Sequence, residues 1–592
     1  MSTPALFFDG VSKSFNSGKT SVTALDGVTI SALPGKVTGL IGPDGAGKTT
    51  LMRLAVGLLL PDNGNIQALG IDVLEAPLQV QSSVGYMPQR FGLYEDLSVQ
   101  ENLDLYADLQ GVGHEQRQAR YEELLQMTAL GPFTDRLAGR LSGGMKQKLG
   151  LACTLIKIPR LLLLDEPTVG VDPISRRELW AIIDRLVKQE QLSVLVSTAY
   201  LNEAERCDEV VLLNEGRRLG QGSPKSYSEP MRGRTFHLSS TRLDKRRLQT
   251  QLSAIPGIID AVIDGEKVRV VTRKAQLPDI SDLVADGDTA INGPSKLDDL
   301  QIEPVEPSFE DAFIATLKVD TPSVADWFAP RDGAALEAGP IIEVVNAQRR
   351  FGDFYAVRDI SFKVKQGEIF GLLGANGAGK STMFRMLCGL LPASAGQLTV
   401  AGHDLRRAAA DARSRLGYMA QRFSLYVDLS VAQNLNFFAS AYGLGRKQRK
   451  QRIEWAMAAF ELTAYAATNS GDLPLGYKQR LAMAAALLHE PDILFLDEPT
   501  SGVDPLARRE FWQRINGLAA SGVTILVTTH FMDEANYCDR LVIMAEGEVL
   551  AEGTPTQMKA GFRSAALPSP TMEDAFIGLI ENRQKNKPGV AA

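Results

Sequence analysis

The chain has 592 residues and a formal net charge of −7. A chain of this length predicts several domains, and the acidic balance argues against a nucleic-acid-binding protein, which usually carries a basic footprint. Its four cysteines are scattered and form no C-x-x-C pair, so a reducing compartment is favoured over a disulfide framework.

No signal-peptide pattern and no apolar stretch of 18 or more residues is visible in the sequence. We therefore expect a soluble, cytoplasmic chain that has no membrane span of its own.

The first predicted elements surround a glycine-rich loop. Residues 39–41 indicate a strand and residues 50–54 a helix, and the loop between them fits G-x-x-x-x-G-K-[ST]. Strand, loop and helix are the context that a phosphate-binding Walker A loop requires, because backbone N–H groups and the helix N-terminus face the phosphates. The predicted ATP-binding residues of this loop are Gly42, Pro43, Asp44, Gly45, Ala46, Gly47, Lys48, Thr49 and Thr50.

Two adjacent acids follow the next buried strand, residues 161–164. Asp165 lies at the strand end, where with Thr49 it is expected to bind Mg²⁺, and Glu166 could polarise the attacking water. The plain alternatives are a structural turn for the loop and a solvated strand cap for the acids. Both alternative interpretations become weaker because the same motifs recur later in the chain.

A small segment at residues 233–305 has no counterpart in the second half of the sequence. Residues 235–238, 258–263 and 268–271 are typical of strands, and residues 244–252 of a helix, so the segment is predicted to be an α+β insert. A short acidic helix around residue 313 then closes the first copy.

The motifs repeat 332 residues downstream, at a second Walker A loop and a second Asp-Glu-Pro-Thr. Lys380 corresponds to Lys48, and Asp497 and Glu498 correspond to Asp165 and Glu166. Mg²⁺ is expected at Ser381 and Asp497. The predicted ATP-binding residues of this copy are Gly374, Ala375, Asn376, Gly377, Ala378, Gly379, Lys380, Ser381 and Thr382.

Both copies are predicted to be α/β domains with a largely parallel sheet. The expected organisation is a first nucleotide-binding domain at residues 1–228, an accessory α+β domain with a closing helix at 229–318, a linker at 319–339, a second nucleotide-binding domain at 340–560, and a C-terminal helix and tail at 561–592.

Ser142, Gly143 and Gly144 stand in the run Leu-Ser-Gly-Gly-Met-Lys-Gln. This resembles the LSGGQ signature that separates ATP-binding cassette (ABC) ATPases from other P-loop proteins. Gln89 and Gln421 match the Q-loop of this family, and Asp172 and Asp504 match its D-loop. His530 matches the switch histidine. Phe15 and Phe351 could stack on adenine. The resemblance covers about three quarters of the chain and implies two P-loop ABC ATPase domains in tandem, as in the YbhF-like fused ATPases of bacteria.

In the ABC family each ATP lies between the Walker motifs of one domain and the signature of the other. The second signature carries Pro474 and Leu475 in place of serine and glycine, and Ala199 occupies the switch position of the first copy. The first Walker A loop also carries Asp44 where the second has the neutral Asn376. All these departures fall on the composite site of the first copy. The resemblance therefore implies one degenerate site and one complete site, the latter built from Gln421, Glu498, His530 and the first signature.

The resemblance implies an ATPase that energises a membrane transporter, of the type of drug and ion exporters. Separate permease subunits would form the pore, and the chain would lie peripherally on the cytoplasmic face of the inner membrane. Residues 91–94 and 423–426, which follow the Q-loops, could contact the permease or be part of the core. The alternatives are a soluble tandem ATPase acting on ribosomes and a DNA-repair ATPase; the latter would need coiled-coil heptads that the sequence lacks.

Overall fold

A computed structural model describes residues 3–17, 20–89, 92–280, 283, 299–318, 339–421, 424–565 and 567–586. The linker expected at 319–339, apart from its last residue, and Phe91 and Phe423 of the two segments after the Q-loops lie outside the described residues. The chain forms two compact units. The first comprises residues 1–232, 307–317 and 504–506, and the second comprises 233–306, 318–503 and 507–592.

The first unit contains two sheets. An antiparallel sheet has the strand order β2-β1-β4-β5, and a six-stranded sheet has the order β10-β9-β3-β8-β7-β6. The strands are β1 (Leu6–Ser17), β2 (Thr20–Ala32), β3 (Val37–Ile41), β4 (Asn63–Ala68), β5 (Ile71–Asp72), β6 (Val84–Met87), β7 (Leu161–Asp165), β8 (Ser193–Thr198), β9 (Glu209–Asn214) and β10 (Arg217–Gly222).

The centre of the six-stranded sheet is parallel, and only β10 runs antiparallel to its neighbour. Every residue of β3, β7 and β8 is buried, as expected for central strands of a parallel sheet that is covered on both faces. The helices that accompany the sheets are α1 (Lys48–Ala55), α2 (Pro77–Ser83), α3 (Val99–Leu109), α4 (His114–Thr128), α5 (Gly143–Thr154), α6 (Pro173–Glu190), α7 (Leu201–Ala204) and α8 (Pro224–Ser228), with 3₁₀ turns at Gly131–Phe133, Ala138–Arg140 and Glu229–Met231.

The described residues of the insert form a four-stranded antiparallel sheet with one helix, and the insert belongs to the second unit. Its sheet has the order β12-β13-β11-β14. The elements are β11 (Thr235–Ser239), α9 (Lys245–Ser253), β12 (Ile258–Asp264), β13 (Lys267–Thr272) and β14 (Gln301–Pro304). Leu238, Leu248 and Val270 are buried in a small core of its own. The last strand was not predicted, because its sequence Gln-Ile-Glu-Pro is exposed and barely apolar.

The closing helix α10 (Phe309–Leu317) returns the chain to the first unit. Phe309 and Phe313 are buried in the core around α6 and β8, and the Phe309 ring packs edge-on against Tyr227. The Glu205 carboxylate accepts a 2.9 Å hydrogen bond from the Phe309 backbone N–H. These contacts hold α10 on the first nucleotide-binding domain.

The rest of the second unit repeats the architecture of the first. Its sheets have the orders β16-β15-β18-β19 and β20-β21-β22-β17-β23-β24. The strands are β15 (Pro340–Phe351), β16 (Phe354–Lys365), β17 (Ile369–Gly374), β18 (Ala395–Val400), β19 (His403–Asp404), β20 (Leu416–Met419), β21 (Ile493–Asp497), β22 (Thr524–Thr529), β23 (Arg540–Ala545) and β24 (Glu548–Gly553). The helices are α11 (Lys380–Leu387), α12 (Ala409–Ser414), α13 (Val431–Ala441), α14 (Arg446–Ala459), α15 (Leu475–Ala486), α16 (Pro505–Ala520), α17 (Pro555–Ala560) and α18 (Met572–Asn586), with 3₁₀ turns at Thr463–Tyr465, Ser470–Asp472 and Asp533–Tyr537.

Buried polar contacts attach the insert to this second domain. The Asp260 carboxylate, which is 2% exposed, pairs with Arg509 of α16 at 2.5 Å and with Lys318 at 2.8 Å. The Asn516 amide, also on α16, donates to the Gln249 side chain at 3.0 Å. The insert follows the first domain in sequence, but its contacts make it part of the second unit.

The fold is thus two tandem α/β P-loop domains with a small α+β insert, as the sequence predicted. Among the residues that the structure describes, none of the helices is both long enough and apolar enough to cross a membrane.

Candidate active sites

Each Walker A loop connects a buried strand to a helix, β3 to α1 in the first domain and β17 to α11 in the second. Gly47 precedes α1 with a φ of +98°, and a Cβ there would lie 2.5 Å from the Ala24 carbonyl oxygen. Only glycine fits such a position without strain. Gly45 also has positive φ, but nothing lies within 4 Å of its Cβ direction. The loop is therefore shaped by its glycines and keeps open space on one side.

The Walker lysines are buried against their own loops. Lys48 donates to the carbonyl oxygens of Gly42 and Pro43 at 2.8 and 3.0 Å. Lys380 does the same to Gly374 and Ala375 at 2.7 and 3.1 Å. Each ammonium group is held at the mouth of the loop, where a phosphate could exchange for the carbonyls.

Hydroxyl groups on the neighbouring strand hold the Walker B acids. Ser197 donates to Asp165 at 2.7 Å and accepts from the backbone N–H of Glu166 at 2.9 Å. In the second domain Thr528 donates to Asp497 at 2.6 Å and accepts from the Glu498 N–H at 3.0 Å. Sequence reasoning missed both hydroxyls, although Ser197 and Thr528 stand two residues before the switch position in each copy.

The second carboxylate oxygen of Asp165 is buried and has no hydrogen-bond partner among the described residues. An unpaired buried carboxylate oxygen, like the hydroxyl oxygen of Thr49, is the kind of ligand that a hard cation such as Mg²⁺ prefers. Within the described part of the chain no three His, Cys, Asp or Glu side chains form a metal cluster. The chemistry of Asp165 and Thr49 fits Mg²⁺.

Both candidate catalytic glutamates adopt positive φ, 51° at Glu166 and 47° at Glu498. Such a conformation is uncommon for a non-glycine residue and clusters at functional sites. The Q-loop amides contact them: Gln89 donates to Glu166 at 2.6 Å and Gln421 to Glu498 at 2.8 Å. The fold thus brings the Q-loop and the candidate catalytic glutamate of each domain together, and Lys48 lies 4.0 Å from Glu166 in the first.

The switch position distinguishes the two sites. Nδ1 of His530 lies 3.1 Å from the Glu498 carboxylate, and its other ring nitrogen is buried without a partner among the described residues. Ala199 occupies this position in the first domain and is also buried. A methyl group can neither orient Glu166 nor contact a phosphate.

This difference moves the pKa values of the two glutamates in opposite directions. Burial raises the pKa of Glu166, and Lys48 and Gln89 only partly oppose it. Burial acts in the same sense on Glu498, but the hydrogen bond and charge of His530, together with Lys380 and Gln421, bring its pKa below the ordinary value. Glu498 is therefore the better stabilised of the two carboxylates.

The signature segments begin corresponding helices in the two domains. The Ser142 hydroxyl caps α5 by accepting from the Met145 N–H at 3.3 Å. Gly144 packs against Ser175, whose hydroxyl oxygen would lie 2.5 Å from an added Cβ. Pro474 begins α15 with no side-chain cap, and Leu475 follows it. The second signature has lost its hydroxyl and its first glycine, as the sequence indicates.

The ABC transporter family model matches residues 25–169 and 357–501. The probable multidrug ABC transporter ATP-binding protein YbhF of Escherichia coli (strain K12) is 50% identical over 587 residues, which cover 99% of each chain. This chain belongs to the ABC transporter family. Its two cassettes are ATP-binding domains, and the chain is an ATPase.

More distant ABC relatives match a single cassette. The Nod factor export ATP-binding protein I of Burkholderia orbicola (strain AU 1054) is 42% identical over 215 residues, 36% of this chain and 71% of that protein. A solved ATP-binding subunit of an ABC transporter aligns with 40% of this chain and 99% of its own length, with 29% identity and a TM-score of 0.38. The relatives agree with the transporter expectation and do not support the ribosome alternative.

The two candidate adenine-stacking residues of the ABC cassettes lie on the surface. Phe15 on β1 is 42% exposed, and Phe351 at the end of β15 is 47% exposed. A cation approaches each ring, Lys13 at 5.8 Å and Arg349 at 4.5 Å from the centroid. Exposed rings with a nearby positive charge suit a nucleotide base, and their role stays a prediction.

A buried carboxylate supports each ABC active-site loop, and sequence reasoning missed it. Glu203 is 2% exposed and accepts from Thr168 at 3.0 Å and from Thr198 at 2.6 Å. The second cassette repeats this with Glu534, Thr500 and Thr529. The available signal was the recurrence of Glu-Ala at residues 203–204 and 534–535.

Proposed function

We propose that this chain is the ATP-hydrolysing subunit of an efflux transporter whose permease subunits are separate chains. The observation that carries the proposal is similarity over 99% of both chains to a protein named as a probable multidrug ABC transporter ATP-binding protein. The chain would associate with the cytoplasmic face of the membrane through its permease.

In this proposal each cassette binds ATP with Mg²⁺. Thr49 and Asp165 hold the cation in the first cassette, and Ser381 and Asp497 hold it in the second. Mg²⁺ neutralises charge on the phosphates when it is bound. The unpaired oxygen of Asp165 supports this assignment.

The second site does most of the hydrolysis in this proposal. Glu498 has His530 within hydrogen-bonding distance, whereas Glu166 has only Ala199 at that position. The pairing of each signature with the nucleotide of the other cassette also belongs to the proposal. In this pairing the second site would receive the intact signature with Ser142. The first site would receive the signature in which Pro474 has replaced the serine.

The permease contact is assigned to the segments after the Q-loops. Tyr94 and Tyr426 are 56% and 50% exposed. The buried side chains of Asn102 and Asn434 fix both segments, each accepting from the tyrosine N–H and donating to its carbonyl at 3.0 Å. An exposed ring on a fixed backbone supports a docking role, since the chain does not bury it.

Membrane fractionation with and without co-expressed permease tests this proposal. We expect the chain to enter the membrane fraction only with its permease, and the Tyr94→Glu/Tyr426→Glu variant to lose that association. Leu78→Glu is the control, because Leu78 is 79% exposed on α2 and should be neutral. Co-sedimentation with ribosomes but not with membranes would contradict the proposal.

A further inference from the structure

One helix of this acidic protein carries a dense group of positive charges. Helix α14 (Arg446–Ala459) contains Arg446, Lys447, Arg449, Lys450 and Arg452 against a single acid, Glu454. At physiological salt, charges beyond about 8 Å are largely screened, so an approaching surface senses this local group rather than the net charge of the chain.

Two of the five cations have structural contacts. Arg452 donates to the Leu487 and Leu488 carbonyls at 2.9 and 3.1 Å and pairs with Glu490 at 3.0 Å. Arg449 donates to the Leu444 carbonyl at 3.4 Å. These two side chains therefore stabilise the domain.

The other three cations are exposed. Arg446 and Lys447 have no ion pair among the described residues, and Lys450 is 79% exposed, with Glu454 at 3.8 Å. At about 100° per residue, residues 446, 447 and 450 share one face of the helix. Arg446 and Lys447 do not stabilise α14, because they lie in a first turn that has no acid, where the helix dipole disfavours positive charge.

Exposed aromatic side chains precede this helix in the chain. Phe437 within α13 and Tyr442 at its C-cap are 44% and 37% exposed, and three residues separate Tyr442 from Arg446. Their rings continue a cluster with Phe438 and Tyr426, with centroid separations between 4.7 and 6.4 Å. Aromatic rings beside cations are typical of surfaces that meet a membrane interface.

The equivalent helices of the first cassette lack this pattern. Helices α3 and α4 together carry six acidic and two basic side chains, whereas α13 and α14 carry one acidic and five basic. Arg117 and Arg120, the two cations of α4, are paired with Asp108 and Glu123 at 2.6 and 2.5 Å. The basic surface is therefore a property of the second cassette and not of the repeated fold.

We propose that the basic face of α14, with Phe437 and Tyr442, binds the anionic lipid headgroups of the membrane directly. Charge complementarity selects this partner: three exposed cations on one face suit a dense array of phosphates, and the rings suit the headgroup depth. The choice of a membrane rests on the proposed function, but the contact is made without the permease.

Vesicle flotation of the full chain without permease tests this inference. We expect binding to vesicles of phosphatidylcholine mixed with phosphatidylglycerol, weak binding to phosphatidylcholine alone, and loss of binding at high salt. Arg446→Glu/Lys447→Glu/Lys450→Glu should lower the partition constant by about a hundredfold or more. The control Lys157→Glu/Lys188→Glu/Lys225→Glu makes the same charge change at exposed positions of the first unit and should bind as wild type.

ATP binding by both variants checks that they are folded. Equal binding to both kinds of vesicle, no binding to either, or equal losses in the two variants would overturn the inference. If wild type fails to bind vesicles but the α14 variant fails to assemble with the permease, the surface recognises an acidic protein and the inference is wrong. The outcome of the vesicle experiment does not affect the proposed function, which is tested with permease present.

Discussion

Nδ1 of His530 lies 3.1 Å from the Glu498 carboxylate, and Ala199 occupies the corresponding position of the first cassette. The candidate base of the second site therefore has a polar neighbour from the switch position, whereas that position offers Glu166 only a methyl group. The activities expected of the Glu498 and Glu166 variants follow from this difference.

Glu498→Gln is expected to lower steady-state ATPase activity by about 10²–10³ or more, because it removes the base from the complete site. Glu166→Gln should leave most of the activity. The measurement is phosphate release with permease present, and equal losses from the two variants would rule out the asymmetric model. Both variants should still bind ATP, which serves as the control.

Two ATP molecules are expected to bind per chain in Glu498→Gln. Lys48 and Lys380 are held in the same way in both loops, and Asp44 is an exposed side chain. Equilibrium dialysis with Mg²⁺-ATP measures the stoichiometry. Lys48→Ala and Lys380→Ala, each introduced into Glu498→Gln, should reduce it to one. A value of one in the parent variant would mean that the first site does not bind.

Ser142→Arg should lower turnover by about 10² or more, because it replaces the donor expected to face the nucleotide of the second cassette. Pro474→Arg makes the matched change at the start of α15 and should have a much smaller effect. Ser142 also caps α5, so Ser142→Asp controls for lost helix stability. Comparable ATPase losses in Ser142→Arg and Pro474→Arg would contradict the crosswise assignment.

Asp260→Ala should destabilise the insert by about 3–5 kcal/mol, because it leaves Arg509 and Lys318 without their buried partner. Hydrogen exchange of peptides from β12 measures the effect. Asp26→Ala is the control, since Asp26 pairs with Arg217 at the surface, where such pairs contribute about 0–1 kcal/mol. Equal protection in the Asp260 variant and wild type would show that the pair does not hold the insert.

Acid should weaken the same attachment. Burial would raise the pKa of Asp260, but Arg509 and Lys318 bring it below the ordinary value. A carboxylate whose pKa is lower in the folded than in the unfolded protein stabilises the fold above its unfolded-state pKa, near pH 4. That stability is lost as the pH falls through the folded-state pKa. Exchange protection of β12 should therefore fall in acid, and in Asp260→Asn this part of the pH dependence should disappear.

The sequence alone determined the repeat, the two Walker A loops, the acids after the buried strands and the departures at Ala199 and Pro474. These features are contiguous, and their chemistry follows from residue type and spacing within one strand, loop and helix. For the same reason the small α+β character of the insert could be predicted from its short alternating strands.

Only the tertiary structure decided which residues support that chemistry. Ser197 and Thr528 became visible as partners of the Walker B acids once β7 paired with β8 and β21 with β22. The attachment of the insert joins Asp260 to Arg509, 249 positions away. Contacts between segments so distant in sequence depend on the packing of whole elements, and no local pattern of residues carries that information.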